Sequence, residues 1–372
     1  MRPEGTVVRE GLTDILVPGL HSVHGPGKIQ GAVFFNEQMA FNRDVSVMLL
    51  RSAGRGLTVA DAMAATGSRS VRIANEVPGT EVTANDISSD AVAYIDANIE
   101  LNGLDNCESS NMNMHSLFAE RSFDYVDLDP FGSPAPFTQS AIRGCRRGGI
   151  LAITATDTAP LAGAHAAKCR RRYQSEPVRG YMCHEGGLRI LICSIARELA
   201  KFDRGMRPLL SFYADHYFRT YIRVEEGAEA ADRALGRLGY LQYDKDTLER
   251  SISYEKDPDH QYGPFWIGPL HDKDFLRGMS AEGLAEEKRA SKYLDLWRNE
   301  IDTEVFVYDM SELSSHTKLS PPKIDAFMDH LSQHGRASKS HVSPSSFKAD
   351  IPLRELLPLY EEFSPDSRTH SL

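Results

Sequence analysis

A repeated succession of short apolar runs and helical stretches, from Leu57 to Thr154, most constrains the fold. The runs are short and rich in branched residues, which is typical of strands, and a helical pattern follows most of them. They comprise Leu57–Met63, Glu81–Asn85, the region leading into Asn111–Leu117, Phe123–Leu128 and Gly149–Thr154. Strands that alternate with helices predict an α/β fold with a mostly parallel, doubly wound sheet.

The turn after the first strand predicts a nucleotide site. It reads A-A-T-G-S-R-S and leads into a helix over Ser70–Asn75. Small residues let a ligand approach the backbone, and a helix N-terminus is electropositive. The turn lacks both the G-x-G-x-x-G spacing and the P-loop Lys-Ser/Thr, which disfavours a typical NAD site and a triphosphatase.

Asp86 ends the second strand, nineteen residues after Gly67. A carboxylate at this position of a nucleotide-binding fold holds a ribose diol. The alternative is a helix N-cap, because Ser88–Asp90 follow and a helix begins at Ala91. One strand further on, the position of Asn113 is suited to binding an adenine amine.

The stretch Phe123–Pro136 reads F-D-Y-V-D-L-D-P-F-G-S-P-A-P, a strand that stops abruptly. Its end presents the Asp129 carboxylate, a main-chain carbonyl beside Pro130 and the ring of Phe131 at the ligand-binding edge of the sheet. This combination suits a flat base that bears an amino group, because the ring stacks on the base and the oxygens accept the amine hydrogens. The alternative is a turn in which Asp129 is an Asx-type cap.

The stretch F-F-N-E-Q-M-A-F-N-R-D, Phe34–Asp44, precedes a helix and contains two adjacent aromatic residues. Phe34 or Phe35 could form a second stacking wall, and Arg43 could hold a carboxylate in a bidentate fork. An intradomain salt bridge and a core staple explain the same residues equally well.

Length and composition indicate two domains of an ordinary globular protein. The chain has 372 residues, 41% of them hydrophobic and 25% charged. No apolar run approaches the ~20 residues of a membrane span, and the N-terminus lacks a signal-peptide core. Five widely spaced cysteines without C-x-x-C predict reduced thiols. A cytoplasmic protein without a membrane partner is the expectation.

The net charge of −10 argues mildly against a nucleic-acid partner, but basic residues are clustered. One cluster lies at Lys168–Arg172 with Arg179, and another contains Arg143, Arg146 and Arg147. A solvated helix face is the alternative interpretation of either cluster.

The composition changes near Glu225, which places the domain boundary between residues 224 and 225. The later pattern predicts helices over Glu225–Leu238 and Asp272–Asn299, and then a small winged α+β module. Within that module, Ser338–His341 with Phe347 and Lys348 could meet a phosphate backbone or form ordinary polar loops. Before the boundary, Tyr217 and Arg219 could bind substrate, pack in the core or form a surface ion pair.

Several of these stretches carry a family resemblance when taken together. F-F-N-E-Q-M-A-F-N-R-D, D-A-M-A-A-T-G-S-R-S-V-R, D-L-D-P-F-G-S-P-A-P-F, T-A-T-D-T-A-P-L, H-E-G-G-L-R-I-L and D-H-Y-F-R occur in this order. The set resembles the tRNA guanine-26 dimethyltransferases, archaeal type. The resemblance implies a class I (Rossmann-like) S-adenosylmethionine-dependent methyltransferase domain, residues 1–224, with a smaller C-terminal α+β tRNA-binding domain, residues 225–372. It also implies transfer of one or two methyl groups to the exocyclic N2 amine of guanine 26.

The resemblance also assigns residues. Arg43, Arg69 and Asp86 would bind the cofactor, with Asn113 and Met114 near its adenine, where the family usually has Asp-Ala. Asp129, Pro130 and Phe131 would form the catalytic floor, and Phe34 would form the opposite wall of the base pocket. Many members carry four cysteines that bind zinc after D-H-Y-F-R, whereas Asp215–Leu270 contains no cysteine here, so no metal is expected.

Two other functions fit the same motifs. An adenine-amine DNA methyltransferase also uses Asp-Pro followed by an aromatic residue, and only the resemblance favours RNA. A non-catalytic tRNA-binding chaperone is disfavoured because Asp86 and Asp129 are both present. tRNA is the expected partner of a monomeric protein.

Overall fold

The computed structural model describes residues 3–23, 33–256, 258–259, 261–301 and 305–366. The chain begins with an antiparallel hairpin of β1 (Thr6–Glu10) and β2 (Thr13–Val17). A 3-10 turn over Glu37–Met39 then leads into α1 (Ala40–Ala53). The hairpin and α1 bring Phe34 and Phe35 to the edge of the central sheet.

A seven-stranded sheet forms the centre of the molecule. Its strands are β3 (Thr58–Asp61), β4 (Glu81–Asn85), β5 (Cys107–Ser110), β6 (Phe123–Leu128), β7 (Cys145–Ala155), β8 (Arg204–Ala214) and β9 (Tyr217–Glu226). The spatial order is β5-β4-β3-β6-β7-β9-β8. Strands β3 to β7 pair in parallel, and β9 pairs antiparallel with both β7 and β8. The predicted parallel succession is confirmed, with an antiparallel hairpin added at one edge.

Helices cover both faces of this sheet. They are α2 (Ser68–Glu76), α3 (Ser89–Leu101), α4 (Met114–Glu120), α5 (Thr138–Gly144), α6 (Thr158–Leu161), α7 (Ala166–Tyr173) and α8 (Cys183–Ala200). Alternate residues of one strand face opposite sides, so Val126 lies in one apolar cluster and Tyr125 in the other. Helix α5 begins at Thr138, after Pro134 and Pro136, which have no amide hydrogen to donate to a helix.

The segment after the sheet contains α9 (Ala228–Leu235), β10 (Leu238–Tyr243), β11 (Arg250–Ser253), β12 (Tyr262–Trp266), α10 (Lys273–Arg277) and α11 (Glu287–Asn299). The helix expected over Asp272–Asn299 is therefore two helices. The Asp44 carboxylate of α1 accepts hydrogen bonds from the amides of Ala285 and Glu286, just before α11 begins. A contact distant in sequence thus helps to set the start of this helix.

The C-terminal elements form a small α+β unit. They are β13 (Tyr308–Asp309), α12 (Met310–Thr317), α13 (Ile324–Leu331), β14 (Ala337–Lys339), β15 (Ser346–Ala349) and α14 (Leu353–Phe363). The strands form a separate sheet in the order β13-β15-β14, and the helices share an apolar cluster with it. The small α+β module expected at this end of the chain is present.

Residues beyond the expected boundary at 224/225 also pack beside the central sheet. Trp266 lies in the cluster on one face of that sheet, and Trp297 lies in the cluster on the other face. Strand β9 itself extends to Glu226. The division into 1–224 and 225–372 stays a prediction.

Candidate active site

A cavity of about 660 Å³ opens at the carboxyl edge of the parallel strands. Ligands bind at this edge in open α/β sheets. All the predicted site residues line the cavity, namely Phe34, Arg43, Arg69, Asp86, Asn113, Met114, Asp129, Pro130 and Phe131. The folded chain therefore brings motifs that lie far apart in sequence to one cavity. The volume of this cavity is within the range of small-molecule binding sites.

Asp86 is oriented by two backbone amides. Its carboxylate accepts hydrogen bonds of 2.9 Å from the amide of Ala65, in the turn after β3, and from the amide of Ser88. The cap of α3 is Ser88 rather than Asp86, because the Ser88 hydroxyl accepts from the Ala91 amide. The Asp86 carboxylate is thus fixed at the rim of the cavity, and it does not cap α3.

The turn after β3 is shaped for close approach to its backbone. Gly67 precedes α2 with a φ of 74°, and no side chain caps the first amides of that helix. A Cβ at Gly67 would lie 3.0 Å from Ile95. The small residues Ala62, Ala64 and Ala65 line the cavity beside these amides, so the electropositive helix end is open to a ligand.

Asn113 and Met114 lie after β5 on the same cavity. The Asn113 side chain caps α4, and its amide oxygen accepts from the His115 amide at 2.9 Å. Met114 is buried. An amide oxygen has two lone pairs, so this cap leaves Asn113 with a second acceptor position.

Asp129, Pro130 and Phe131 follow β6 directly. Phe131 is 59% exposed, an unusual position for a large aromatic side chain. It meets Phe34 edge to face, with ring centroids 4.7 Å apart. The two rings predicted to enclose a base are therefore neighbours across the mouth of the cavity.

A buried ionic network lies beneath Asp129. Arg69 donates to the Asp129 carboxylate, and also to Asn42 and Ser46 of α1. Arg219 binds both carboxylate oxygens of Asp127, at 3.0 and 2.6 Å. Burial acts to raise the pKa of Asp127, but Arg219 and Arg69 hold it below its ordinary value. Asp127 is therefore ionised and links the two arginines.

Asp61 is a third carboxylate in this network, at the end of β3. Burial and the neighbouring Asp127 charge raise the pKa of Asp61 to about 7, although Arg69 acts in the opposite direction. Its one described hydrogen bond is a 2.8 Å contact from the Ser70 hydroxyl. Asp61 is therefore the carboxylate of this network that gains or loses its proton near neutral pH.

Arg43 forms the predicted bidentate contact with a carboxylate, and this carboxylate belongs to the protein itself, at Glu10. Its guanidinium donates to both oxygens of Glu10, at 2.8 and 2.5 Å, and to the carbonyl of Asn36. It also lies 4.9 Å from the Phe35 ring centroid. These contacts fix the segment that carries Phe34, and a cofactor contact by Arg43 stays a prediction.

The two basic clusters lie at opposite edges of the sheet. Arg146 and Arg147 lie in the first residues of β7 and pair with Asp124 and Glu226. The other cluster lies on α7, whose Tyr173 hydroxyl is hydrogen-bonded to the Ser133 hydroxyl, in the loop after β6, and donates to the Asp157 carboxylate, after β7. Within the described part of the chain, Lys168 and Arg171 have no ion-pair partner. The α7 cluster is therefore the one beside the cavity.

The structure disfavours two of the alternatives left open by the sequence. Ser338, Ser340, His341, Phe347 and Lys348 are buried, and the half-buried Lys339 pairs with Asp325, which disfavours contact of this stretch with a phosphate backbone. Arg219 is fully buried in the network with Asp127, which excludes the surface ion pair. Tyr217 lines the cavity, as does the preceding turn over Asp215 and His216.

Sequence reasoning missed other residues of the site. Asn85 ends β4 and donates to the carbonyls of Ala62 and Met112, which joins the loops after three strands. Phe137 also lines the cavity. Asp61 and Asn85 carried a usable signal, because each is a polar residue that ends a parallel strand. Phe137 carried none, because an aromatic residue after two prolines is equally typical of a core.

Comparisons with known proteins decide the family. The model of the family described as N2,N2-dimethylguanosine tRNA methyltransferase matches residues 13–361. The chain is 40% identical to the tRNA (guanine(26)-N(2))-dimethyltransferase of Pyrococcus abyssi, over 93% of this chain and 96% of that protein. The corresponding protein of Methanobrevibacter smithii is 33% identical, over 96% and 97%. The chain belongs to the N2,N2-dimethylguanosine tRNA methyltransferase family.

A solved member of the family has the same fold. The structure of Trm1 from Pyrococcus horikoshii, in complex with S-adenosyl-L-methionine, superposes with a TM-score of 0.88 at 36% identity. The superposition covers 95% of this chain and 99% of that one. The predicted family and the class I methyltransferase fold with a C-terminal domain are confirmed. Among the described residues of this family member, no helix has the length and apolar character needed to span a membrane.

Proposed function

We propose that the protein transfers methyl groups from S-adenosylmethionine to the exocyclic N2 amine of guanine 26 in tRNA. One observation carries the proposal: the Asp129-Pro130-Phe131 segment and the Asp86 carboxylate line a single cavity. A site for the nucleoside of a cofactor and a site for a flat amino base therefore share one chamber. Family membership names the base and the nucleic acid.

The residues around the cavity fit the cofactor. Asp86 is oriented to accept from ribose hydroxyls, and Asn113 and Met114 form a half-polar wall for the adenine. The uncapped start of α2 offers amides to the carboxylate of the methionine part, next to Arg69. When bound, S-adenosylmethionine supplies a methyl group on a positively charged sulfur.

The aromatic pair must separate to admit a base. A planar ring in contact with a ring on each side needs about 3.5 Å to each, which is about 7 Å between Phe34 and Phe131. Their centroids are 4.7 Å apart. Because the two rings meet edge to face, opening by roughly 2 Å together with rotation of one ring would create a slot for an extruded guanine, and the exposed position of Phe131 leaves room for this movement.

Asp129 would accept a hydrogen bond from the amine and receive its proton as the nitrogen forms the new N–C bond. The bond between the methyl carbon and the sulfur would break at the same time, and the sulfur would keep that electron pair as a neutral thioether. Arg69 pairs with the Asp129 carboxylate and holds it in place. The amine hydrogens otherwise have no acceptor in an apolar slot, and the aligned carboxylate directs the nitrogen lone pair towards the methyl group.

The basic side chains of α7 provide a path for the RNA backbone. Lys168, which is half-buried, and Arg171, which is exposed, lie on the helix whose last residue, Tyr173, hydrogen-bonds Ser133 in the loop after β6. Phosphates that flank an extruded nucleotide would pass close to this helix. We further propose that the enzyme acts as a monomer in the cytoplasm, with domains 1–224 and 225–372; sedimentation with and without tRNA tests the oligomeric state.

The decisive experiment is methyl transfer from labelled S-adenosylmethionine to an unmodified tRNA transcript, with identification of the product nucleosides. We expect N2-methylated guanosine that disappears when guanine 26 is replaced. Asp129→Asn should lower the rate about 100-fold or more, the effect of removing a general base. Asp124→Asn is the matched control, because Asp124 lies at the start of β6, at the far edge of the sheet from the cavity.

Other outcomes would contradict the proposal in different ways. Asp129→Asn with near-normal turnover and unchanged cofactor affinity would remove Asp129 from the chemistry. Methyl transfer to DNA in place of tRNA would favour an adenine-amine enzyme. Tight tRNA binding without any transfer would favour a chaperone.

A further inference from the structure

Two histidines and a glutamate come together in the interior, away from the cavity. His271 precedes α10, Glu300 follows α11 and His341 follows β14. They are 3%, 2% and 5% exposed. One potential ligand atom from each residue lies within 4.8 Å of the other two. Three segments separated by about 30 and 40 residues thus converge on one point.

The geometry of the cluster is close to that of a metal site. His341 Nδ1 lies 2.6 Å from Glu300 Oε2, and His271 Nε2 lies 3.7 Å from the same oxygen. Ligands bound tetrahedrally at about 2.0–2.1 Å are separated by about 3.3 Å. Side-chain shifts on the order of 1 Å would therefore place all three around one ion.

Three of the four histidine ring nitrogens are not satisfied by hydrogen bonds within the described residues, whereas His341 Nδ1 contacts Glu300 Oε2. Both nitrogens of His271 and Nε2 of His341 are buried without a hydrogen-bond partner among the described residues. A buried, unpaired polar group costs about 1–3 kcal/mol. The carboxylate, in contrast, is already oriented, because Glu300 Oε1 accepts from the Ser340 hydroxyl at 2.8 Å. This is the kind of outer contact that positions a metal-binding carboxylate.

The neighbouring positive charges leave one carboxylate oxygen of Glu300 available to a metal ion. Lys348 makes its closer ion pair with Glu185, at 2.9 Å, and lies 3.9 Å from Glu300 Oε1. Arg189 also pairs with Glu185. Glu300 Oε2 is the oxygen that faces both histidines. The ion pair with Lys348 involves the other oxygen, Oε1. The ammonium of Lys348 lowers the affinity for a cation without occupying its position.

We propose that His271, Glu300 and His341 bind one divalent transition-metal ion, with zinc as the best match to two imidazoles and a carboxylate. A water molecule would complete the four ligands. The ion would tie α10 and α11, which pack on the central sheet, to the strand pair β14–β15 of the C-terminal unit. The expectation of no metal rested on missing cysteines, whereas this site uses a different ligand set and does not depend on the proposed activity.

The test uses the full-length protein without an affinity tag. It is incubated with zinc, passed through a column in metal-free buffer, and analysed by plasma mass spectrometry. We expect about one zinc per chain, and visible absorption typical of four-coordinate cobalt when cobalt replaces zinc. His271→Ala and His341→Ala should each weaken binding tenfold or more, and removal of the ion from wild type should lower the melting temperature.

His334→Ala is the matched control, because His334 is an exposed histidine of the same C-terminal unit; it should keep the full zinc content. Lys348→Met should bind zinc tenfold or more tightly, because a neighbouring positive charge is removed. A purely structural polar cluster would not show this gain. Wild-type protein that retains no zinc or cobalt after saturation overturns the proposal, as does full binding by both histidine variants, and the wild-type result decides the matter even if those variants fail to fold.

Discussion

Replacing Asp61 by asparagine should remove a pH-dependent destabilisation of the fold. Asp61 is fully buried beside the Asp127 charge, and its pKa is raised from 3.8 to about 7. The folded protein therefore favours the neutral carboxyl. Below pH 3.8 the group is neutral in both states and costs nothing. Between pH 3.8 and about 7 the folded state keeps a proton that the unfolded chain has lost, so the free energy of unfolding falls across this range and levels off above pH 7.

The size of the effect follows from this difference. About three pH units at 1.36 kcal/mol each correspond to a loss on the order of 4 kcal/mol once Asp61 is fully ionised. Between pH 5 and pH 8, the part of this loss that is observed is roughly 2–3 kcal/mol. Asparagine has nearly the same shape, can accept from the Ser70 hydroxyl and does not titrate. Its advantage over aspartate should therefore grow with pH by that amount.

The assay is urea unfolding of wild type and Asp61→Asn at pH 5 and pH 8. The two tryptophans, Trp266 and Trp297, report on the clusters at the two faces of the sheet. Differences in the unfolding midpoints at a common m-value give the change in free energy of unfolding. Taking the difference between variants cancels the other titrating groups.

Asp124→Asn provides a control, because the pKa of Asp124 is lowered in the folded protein whereas that of Asp61 is raised. Burial acts to raise the pKa of Asp124, but hydrogen bonds from Thr58 and pairing with Arg146 hold it below 3.8. Asp124 is therefore ionised in both states above pH 5, and its difference from wild type should be constant between pH 5 and pH 8. Parallel curves for Asp61→Asn and wild type over this range would refute the assignment of the network's proton to Asp61.

Three further changes test the site. Arg219→Met should destabilise the protein by about 3–5 kcal/mol in thermal or urea unfolding, because it leaves the buried charge of Asp127 without its main partner. Phe34→Ala should raise the KM for tRNA and lower kcat while the affinity for S-adenosylmethionine, measured by calorimetry, stays unchanged. Lys168→Ala and Arg171→Ala should each reduce the slope of log tRNA affinity against log salt by roughly one.

For each of these predictions, a specific result would contradict the reasoning. A loss below about 1 kcal/mol for Arg219→Met would mean that Asp127 becomes neutral at little cost. Weaker cofactor binding by the Phe34 variant would place that ring against the cofactor instead of the base. An Arg147→Ala variant, altered at the opposite edge of the sheet, should leave the salt slope unchanged; an equal effect there would indicate that the RNA lies elsewhere.

The sequence alone determined the central sheet and the position of its ligand edge. The runs that became β3, β4 and β6 are short, contain β-branched or aromatic residues and are bounded by small or polar residues, so each is recognisable without its neighbours. Asp86 and Asp129 each end a strand, and parallel strands end at the same edge. Local signals were therefore enough to place these carboxylates around one cavity.

The tertiary structure decided which charged side chains meet. No local pattern pairs Arg69 with Asp129, sixty residues away, or makes Glu10 the partner of Arg43. The basic run on α7 and the one around the start of β7 read alike as sequence, yet the fold places only the former beside the loop that carries Asp129 and Phe131. His271, Glu300 and His341 show the same dependence. A charged or ligating side chain is defined by the groups within a few ångströms of it, and only the packing of distant segments brings those groups together.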